Sequence, residues 1–183
     1  MQDILVLYAS THGHTAKIAA RIADTLQQTG ATVDLRRADR DIDPMPNQYD
    51  AVIVGGSIHA GHHQREIVDW THRHATTLNS MPSALFSVSL TAADDTDEAR
   101  AAVRKYVDEL VEETGWNARR TVSFAGALQY LEYEFFTRVL IKLMMHRGGH
   151  PTDTSQDDDF TDWEAVDDFA RQCAALLPSA APA

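Results

Sequence analysis

The sequence predicts an α/β fold: a doubly wound parallel sheet of five strands in the order 2-1-3-4-5, with helices on both faces. Three observations carry this. Apolar runs such as ILVLY (4–8) and the one within YDAVIVGGS (49–57) are continuous, as in strands covered on both sides. Between such runs lie segments whose apolar residues recur every three or four positions, the spacing of a helix with one buried side. The two kinds of segment alternate along the chain, and that alternation builds parallel sheets through crossover helices.

Each element has its own signal. After the first strand (4–8) comes a polar loop, STHGHT (10–15), then a helix with Ile18, Ile22 and Leu26 on one side and Gly30 at the position after its end. ATVDLRR (31–37) alternates as a second strand. Pro44 and Pro46 punctuate the connection to the third strand, 49–57, which ends in glycines. A helix over 64–78 places Ile67, Thr71, Ala75 and Leu78 on one side. SALFSVSL (83–90) is the fourth strand. A helix over 97–114 turns Val103, Tyr106, Val107, Leu110 and Val111 inward and stops at Gly115, and RTVSFAGAL (120–128) is the fifth strand. TDWE (161–164) reads as a capping box, Thr161 accepting from the Glu164 N–H while Glu164 reaches back. It opens a last helix carrying Val166, Phe169, Ala170, Cys173 and Leu177. Residues 1–177 form one domain, and PSAAPA (178–183) is a flexible tail.

The bulk numbers narrow the class. A chain of 183 residues with a 44% hydrophobic share buries a full core. No apolar run approaches the ~18 residues that a membrane span needs. MQDILVLYAS carries Asp3 and no basic leader, so it reads as a strand rather than a signal peptide. Cys173 is the only cysteine, which excludes an internal disulfide or a CxxC site and fits a reducing, cytoplasmic setting. The net charge of −11 disfavours nucleic acid as a partner. It fits a source living in high salt, the reading we favour, or an ordinary acidic cytosolic protein.

The loop at 10–15 holds hydroxyls, one glycine and two imidazoles, but no carboxylate. It opens a helix, where free N–H groups and a partial positive charge attract anions. It is neither GxxxxGK[ST] nor GxGxxG, which weighs against a nucleoside triphosphate and against a dinucleotide. On residues alone, a phosphate site and a plain Ser/Thr cap account for it equally well. His72, His74, His146 and His150, even with Asp153, lack a tight metal-ligand spacing, so no metal site is expected. Trp70, Trp116 and Trp163 are read as core or helix-end packing.

STHGHT resembles the phosphate loop of flavodoxins, with His12 where that loop usually has a threonine. The resemblance implies that Ser10, Thr11, His12, Gly13, His14 and Thr15 wrap the 5′-phosphate of FMN. It also implies that two further loops flank the flavin ring: Ser57, Ile58, His59, Ala60 and Gly61 after the third strand, and Ser89, Leu90, Thr91 and Ala92 after the fourth. Three longer stretches narrow the match: NSMPSALFSVSL (79–90), AGALQYLEYEFFTRVLIKLMM (125–145) and TDTSQDDDFTDWE (152–164). Over residues 3–177 the chain is similar to the flavodoxin-like, menaquinone-dependent protoporphyrinogen IX dehydrogenase family. It departs from that family in the added acids Asp157, Asp158 and Asp159. It departs from one-electron flavodoxins in having no Trp or Tyr in either ring loop, where His59, His62 and His63 stand instead.

The resemblance implies FMN-dependent oxidation of protoporphyrinogen IX to protoporphyrin IX in haem synthesis, with menaquinone or another quinone as acceptor. A flavodoxin-type electron carrier and an FMN-dependent NAD(P)H:quinone reductase are the alternatives. No catalytic base is forced by the residues; His59, His62 and His63 are candidates by position only. From Phe135 to Thr152 the chain has no acid, while Arg138, Lys142 and Arg147 are basic. Residues 133–147 are therefore expected to form an amphipathic helix making peripheral membrane contact, and the resemblance, through its substrate, implies that the same three cations could instead bind propionates. Packing on its own domain is the alternative. The oligomeric state stays open, a homo-oligomer included.

Overall fold

The computed structural model describes residues 2–39, 43–126 and 159–177. In chain order the elements are β1 (Asp3–Ala9), α1 (His14–Gln28), β2 (Thr32–Arg37), β3 (Ala51–His59), β4 (His62–His63), α2 (Arg65–Ser80), β5 (Ser83–Ser89), α3 (Asp97–Thr114), β6 (Arg120–Ala125) and α4 (Trp163–Ala174). The long strands are parallel and lie in the order β2-β1-β3-β5-β6. This is the expected 2-1-3-4-5 sheet once the short β4 is set aside.

The continuous apolar runs are explained by a sheet covered twice. Along β1, Ile4 and Val6 face one core while Leu5, Leu7 and Ala9 face the other. The first core is closed by α1 and α4 through Ile18, Ile22, Leu26, Val166, Phe169 and Cys173. The second is closed by α2 and α3 through Ile67, Trp70, Leu78 and Leu110, with Trp116 alongside. Trp70 and Trp116 are core residues, as expected. Gly30 and Gly115 take left-handed conformations just past α1 and α3, where a side chain would be strained.

Two local readings need correction. The residues after β3 do not run as an open loop into α2. β3 folds back through Ala60 and Gly61 into β4, pairing Ile58 with His63 and His59 with His62. Both turn residues have positive φ, 49° and 88°, the sign pattern of a type I′ hairpin. Second, the cap of α4 is Asp162, which accepts from the Ala165 N–H at 3.0 Å. The Thr161 hydroxyl is committed elsewhere, so the capping box at 161–164 does not form. The fifth strand is described only to Ala125. The segment 133–147, with Arg138, Lys142 and Arg147, and the tail 178–183 lie outside the described residues.

Register brings the functional loops together. Ala9 pairs with Gly56, Ser57 with Val88, and Ser89 with Ala125. The strands therefore end at one level, and the loops after β1, β3 and β5 converge there. From β1 the sheet grows one way to β2 and the other way to β3, the reversal that leaves a crevice at the strand ends. Gly55 permits the close packing behind it: an added Cβ would sit 1.8 Å from the tip of the Phe86 ring.

Candidate functional site

The loop after β1 is built to leave N–H groups free. Gly13 holds a left-handed conformation with open space where a Cβ would stand, and its N–H donates to Ser10 Oγ at 2.9 Å. No side chain caps α1, and its first turn carries no acid. The Lys17 N–H makes the first helical bond, to the Gly13 carbonyl at 3.1 Å, so the N–H groups of His14, Thr15 and Ala16 have no helical acceptor. Arg37, at the end of β2 beside β1, donates from Nη2 to the Ser10 carbonyl at 3.1 Å and sets a cation against the loop.

His14 and Thr15 are buried as the helix begins. The His14 ring turns beneath the loop, and its Nε2 lies 2.7 Å from Thr161 Oγ1. That hydroxyl donates to the Ala125 carbonyl at 2.9 Å, so it accepts the His14 Nε2–H. Asp159 completes the clasp: it accepts from the Thr161 N–H at 3.0 Å and from the Trp163 indole at 3.2 Å, and stands 3.6 Å from His14 Nε2. Burial lowers the His14 pKa, and the Asp159 charge offsets part of this. His14 can thus offer an anion its backbone N–H but not its ring.

The loops after β3 and β5 form the adjoining wall. Gln64, just ahead of α2, accepts the Ser57 N–H at 3.1 Å and donates to Thr11 Oγ1 at 2.9 Å. His59 lies across the same junction, its Nε2 3.1 Å from Thr11 Oγ1 and 3.0 Å from Ser57 Oγ. His12 meets it edge-on, ring centres 6.0 Å apart. Tyr106 of α3 stands 3.9 Å from where a Gly61 Cβ would be, behind the hairpin turn. Ser89 Oγ accepts the Ala92 N–H at 3.2 Å and shapes the short 3₁₀ turn over Thr91–Ala93.

The three candidate histidines have different surroundings. His63 is buried, its Nε2 2.7 Å from Ser87 Oγ, and burial pushes its pKa down to about 4. His62 is exposed and leans toward Glu109 of α3 at 3.6 Å. His59 reaches back over the loop after β1. The sequence has no Asp or Glu in 4–23, 51–65, 70–93 or 115–131. In a chain of net charge −11, the segments that end β1, β3, β5 and β6 thus carry no acid of their own, while Asp159 stands 3.6 Å from His14 Nε2 and Glu109 3.6 Å from His62. The uncapped N–H donors at the start of α1 are of the kind a phosphate monoester accepts.

Comparisons with known proteins agree. A family model described as a flavodoxin domain matches residues 5–155. Oxidised flavodoxin 1 of Bacillus cereus superposes with a TM-score of 0.59 at 15% identity, covering 96% of this chain and 99% of that one. At that identity the likeness establishes the fold. The protoporphyrinogen IX dehydrogenase (quinone) of Escherichia coli K12 is 36% identical over 172 residues, 94% of each chain. The Leishmania major protein of the same name is 36% identical over 182 residues, 97% of this chain and 77% of that one. The chain belongs to this family. As a member it is an oxidoreductase built on a flavodoxin domain, and the donor set of its first loop fits a flavin phosphate.

Three residues escaped the sequence reading. Arg37 could have been found from its place at the end of a strand adjoining β1. Gln64 gave no local signal, because its role depends on the hairpin that brings it to Thr11. Thr161 was singled out as a cap and instead joins α1 to β6. Among the described residues no group of three His, Cys, Asp or Glu is placed to hold a metal ion, and no helix is long and apolar enough to cross a membrane.

Proposed function

We propose that this chain binds FMN and oxidises protoporphyrinogen IX to protoporphyrin IX, with menaquinone or a related quinone as acceptor, in haem biosynthesis. The observation that carries the proposal is identity along nearly the whole chain to dehydrogenases of that name. The uncapped start of α1, with no acid in its first turn, supports it.

Bound FMN supplies the redox chemistry, accepting one electron pair at a time from the porphyrinogen, three pairs in all, and releasing each to the quinone. The chain's own residues bind and orient. The uncapped start of α1, with Gly13, Thr11 and Thr15, holds the phosphate. Backbone N–H groups of the 57–61 and 89–92 loops other than those of Ser57 and Ala92, which are bonded to Gln64 and Ser89, would stabilise negative charge on the ring. His59, His62 and His63 are each engaged elsewhere, so no Trp, Tyr or free imidazole of the ring loops covers the ring face. That leaves room for a macrocycle, which suits a dehydrogenase better than a one-electron carrier. On charge pattern, residues 133–147 rest on the inner face of the cell membrane, where the quinone resides.

The test is direct. The purified chain with FMN should generate porphyrin fluorescence from protoporphyrinogen IX anaerobically when a menaquinone analogue is present. NADPH should not replace the porphyrinogen. A chain that stays colourless and does not bind FMN refutes the proposal. A flavoprotein that reduces quinones with NADPH and ignores the porphyrinogen assigns the alternative reductase activity. Arg138→Glu with Lys142→Glu should release the protein from anionic vesicles.

A further inference from the structure

We infer that Gln64 is a positioning residue for flavin recognition: its amide makes Thr11 a hydrogen-bond donor toward the flavin phosphate, and so helps the site tell FMN from riboflavin. The inference rests on the FMN reading and deepens it.

Gln64 stands at the N-cap of α2 but its side chain does not cap that helix. Its carbonyl accepts the Ile67 and Val68 N–H groups at 3.0 and 3.2 Å. The amide instead reaches back across the end of β3, where an added Cβ on Gly56 would stand 3.9 Å from Oε1. Oε1 accepts the Ser57 N–H at 3.1 Å, and Nε2 donates to Thr11 Oγ1 at 2.9 Å. One planar group thus joins the loop after β1, the end of β3 and the start of α2.

The backbone fixes which way round this amide lies. A peptide N–H only donates, so the amide oxygen must face Ser57. The amide nitrogen is left to Thr11, whose oxygen must accept. A hydroxyl has one hydrogen, and that of Thr11 is therefore directed to some acceptor other than Gln64. His59 Nε2 lies 3.1 Å from Thr11 Oγ1 and 3.0 Å from Ser57 Oγ. Where that nitrogen donates, or accepts from Ser57, the Thr11 hydrogen is open to a ligand. Where it accepts from Thr11, a phosphate displaces it, because a charged acceptor makes the stronger bond and Ser57 can fill the vacated lone pair. The polarity of the Ser57 peptide is in this way passed through Gln64 to the loop that opens α1. Gln64→Glu reverses it: a carboxylate has no hydrogen to give, so it takes the one on Thr11 and sets a negative charge against the incoming anion.

The experiment is calorimetric titration of the full-length chain and its variants with FMN and with riboflavin at pH 7.5, where a phosphate monoester is dianionic and only accepts. Gln64→Glu should weaken FMN by about 10- to 100-fold, the range of one hydrogen bond to a charged group, and leave riboflavin nearly unchanged. Gln64→Met, which adds no charge, should weaken FMN by about 2- to 10-fold. Thr11→Val should also weaken FMN, and Thr11→Ser should restore it. On the Thr11→Val background Gln64→Met should cost FMN little further, because the hydroxyl it directs is gone. That comparison uses FMN alone and decides the matter should riboflavin bind too weakly to measure. Equal losses for FMN and riboflavin in Gln64→Glu, parental FMN affinity in Gln64→Glu, or full additivity of Gln64→Met with Thr11→Val overturns the inference and leaves the flavin assignment standing. Failure of the parent chain to bind FMN overturns both.

Discussion

Replacing His63 by glutamine isolates the contribution of one buried imidazole to acid stability. His63 is 8% exposed on β4, and its Nε2 sits 2.7 Å from Ser87 Oγ. Burial holds its pKa at about 4, with the Glu109 charge only partly opposing. An unfolded chain protonates its histidines near ~6.5, so it binds this proton well before the folded chain does. Stability is therefore intact above about 6.5, drains as the pH falls toward about 4, and levels off below. A gap of about 2.5 pKa units corresponds to about 3 kcal/mol in full, of which about 2.5 kcal/mol is lost by pH 4.5. Glutamine removes the titration and keeps an amide that can bond Ser87. Urea unfolding at pH 7.5 and 4.5, followed by the fluorescence of the buried Trp70 and Trp116, measures the difference. Carboxylate effects are common to both chains and cancel. The parent should lose about 2.5 kcal/mol more than His63→Gln over the interval. Equal losses in the two chains would show that this imidazole is not the group being titrated.

Three other perturbations follow from packing. Gly55→Ala drives a Cβ to within 1.8 Å of Phe86, against only ordinary contacts of 3.4 Å and beyond at Gly56. The first should cost about 1–3 kcal/mol or more and the second much less, a contrast that thermal melts of the two variants would read. Thr161→Val keeps the shape but strips a partner from the His14 ring and the Ala125 carbonyl. Such a loss costs about 1–3 kcal/mol and should weaken FMN binding, whereas Thr161→Ser should restore both. Ala60 is the described non-glycine residue with positive φ, in the hairpin turn. Ala60→Asn, better suited to that conformation, should stabilise by about 0.5–1 kcal/mol, or roughly 1–4 °C in Tm. An unchanged melting temperature would refute the strain assigned to that turn.

The sequence by itself determined the sheet, its order and the place of the site. Continuous runs such as ILVLY can be buried on both faces only in a helix-covered parallel sheet, and β1 does divide its side chains between two cores. The absence of acids from the segments that end β1, β3, β5 and β6 is also visible in one dimension. What each side chain does there was decided by tertiary structure, because those contacts join residues far apart in the chain. Thr161 reads locally as a helix cap, yet His14 claims its hydroxyl across 147 positions. Asp162 caps instead because it is the next side chain free to do so. His59, His62 and His63 look alike in sequence, but a two-residue turn puts successive β4 side chains on opposite faces. One histidine is thereby sealed against Ser87, one is left near Glu109, and His59 is drawn over Thr11. Local pattern reports which residue types a strand end carries; only the packed sheet determines which of their protons and lone pairs are already taken.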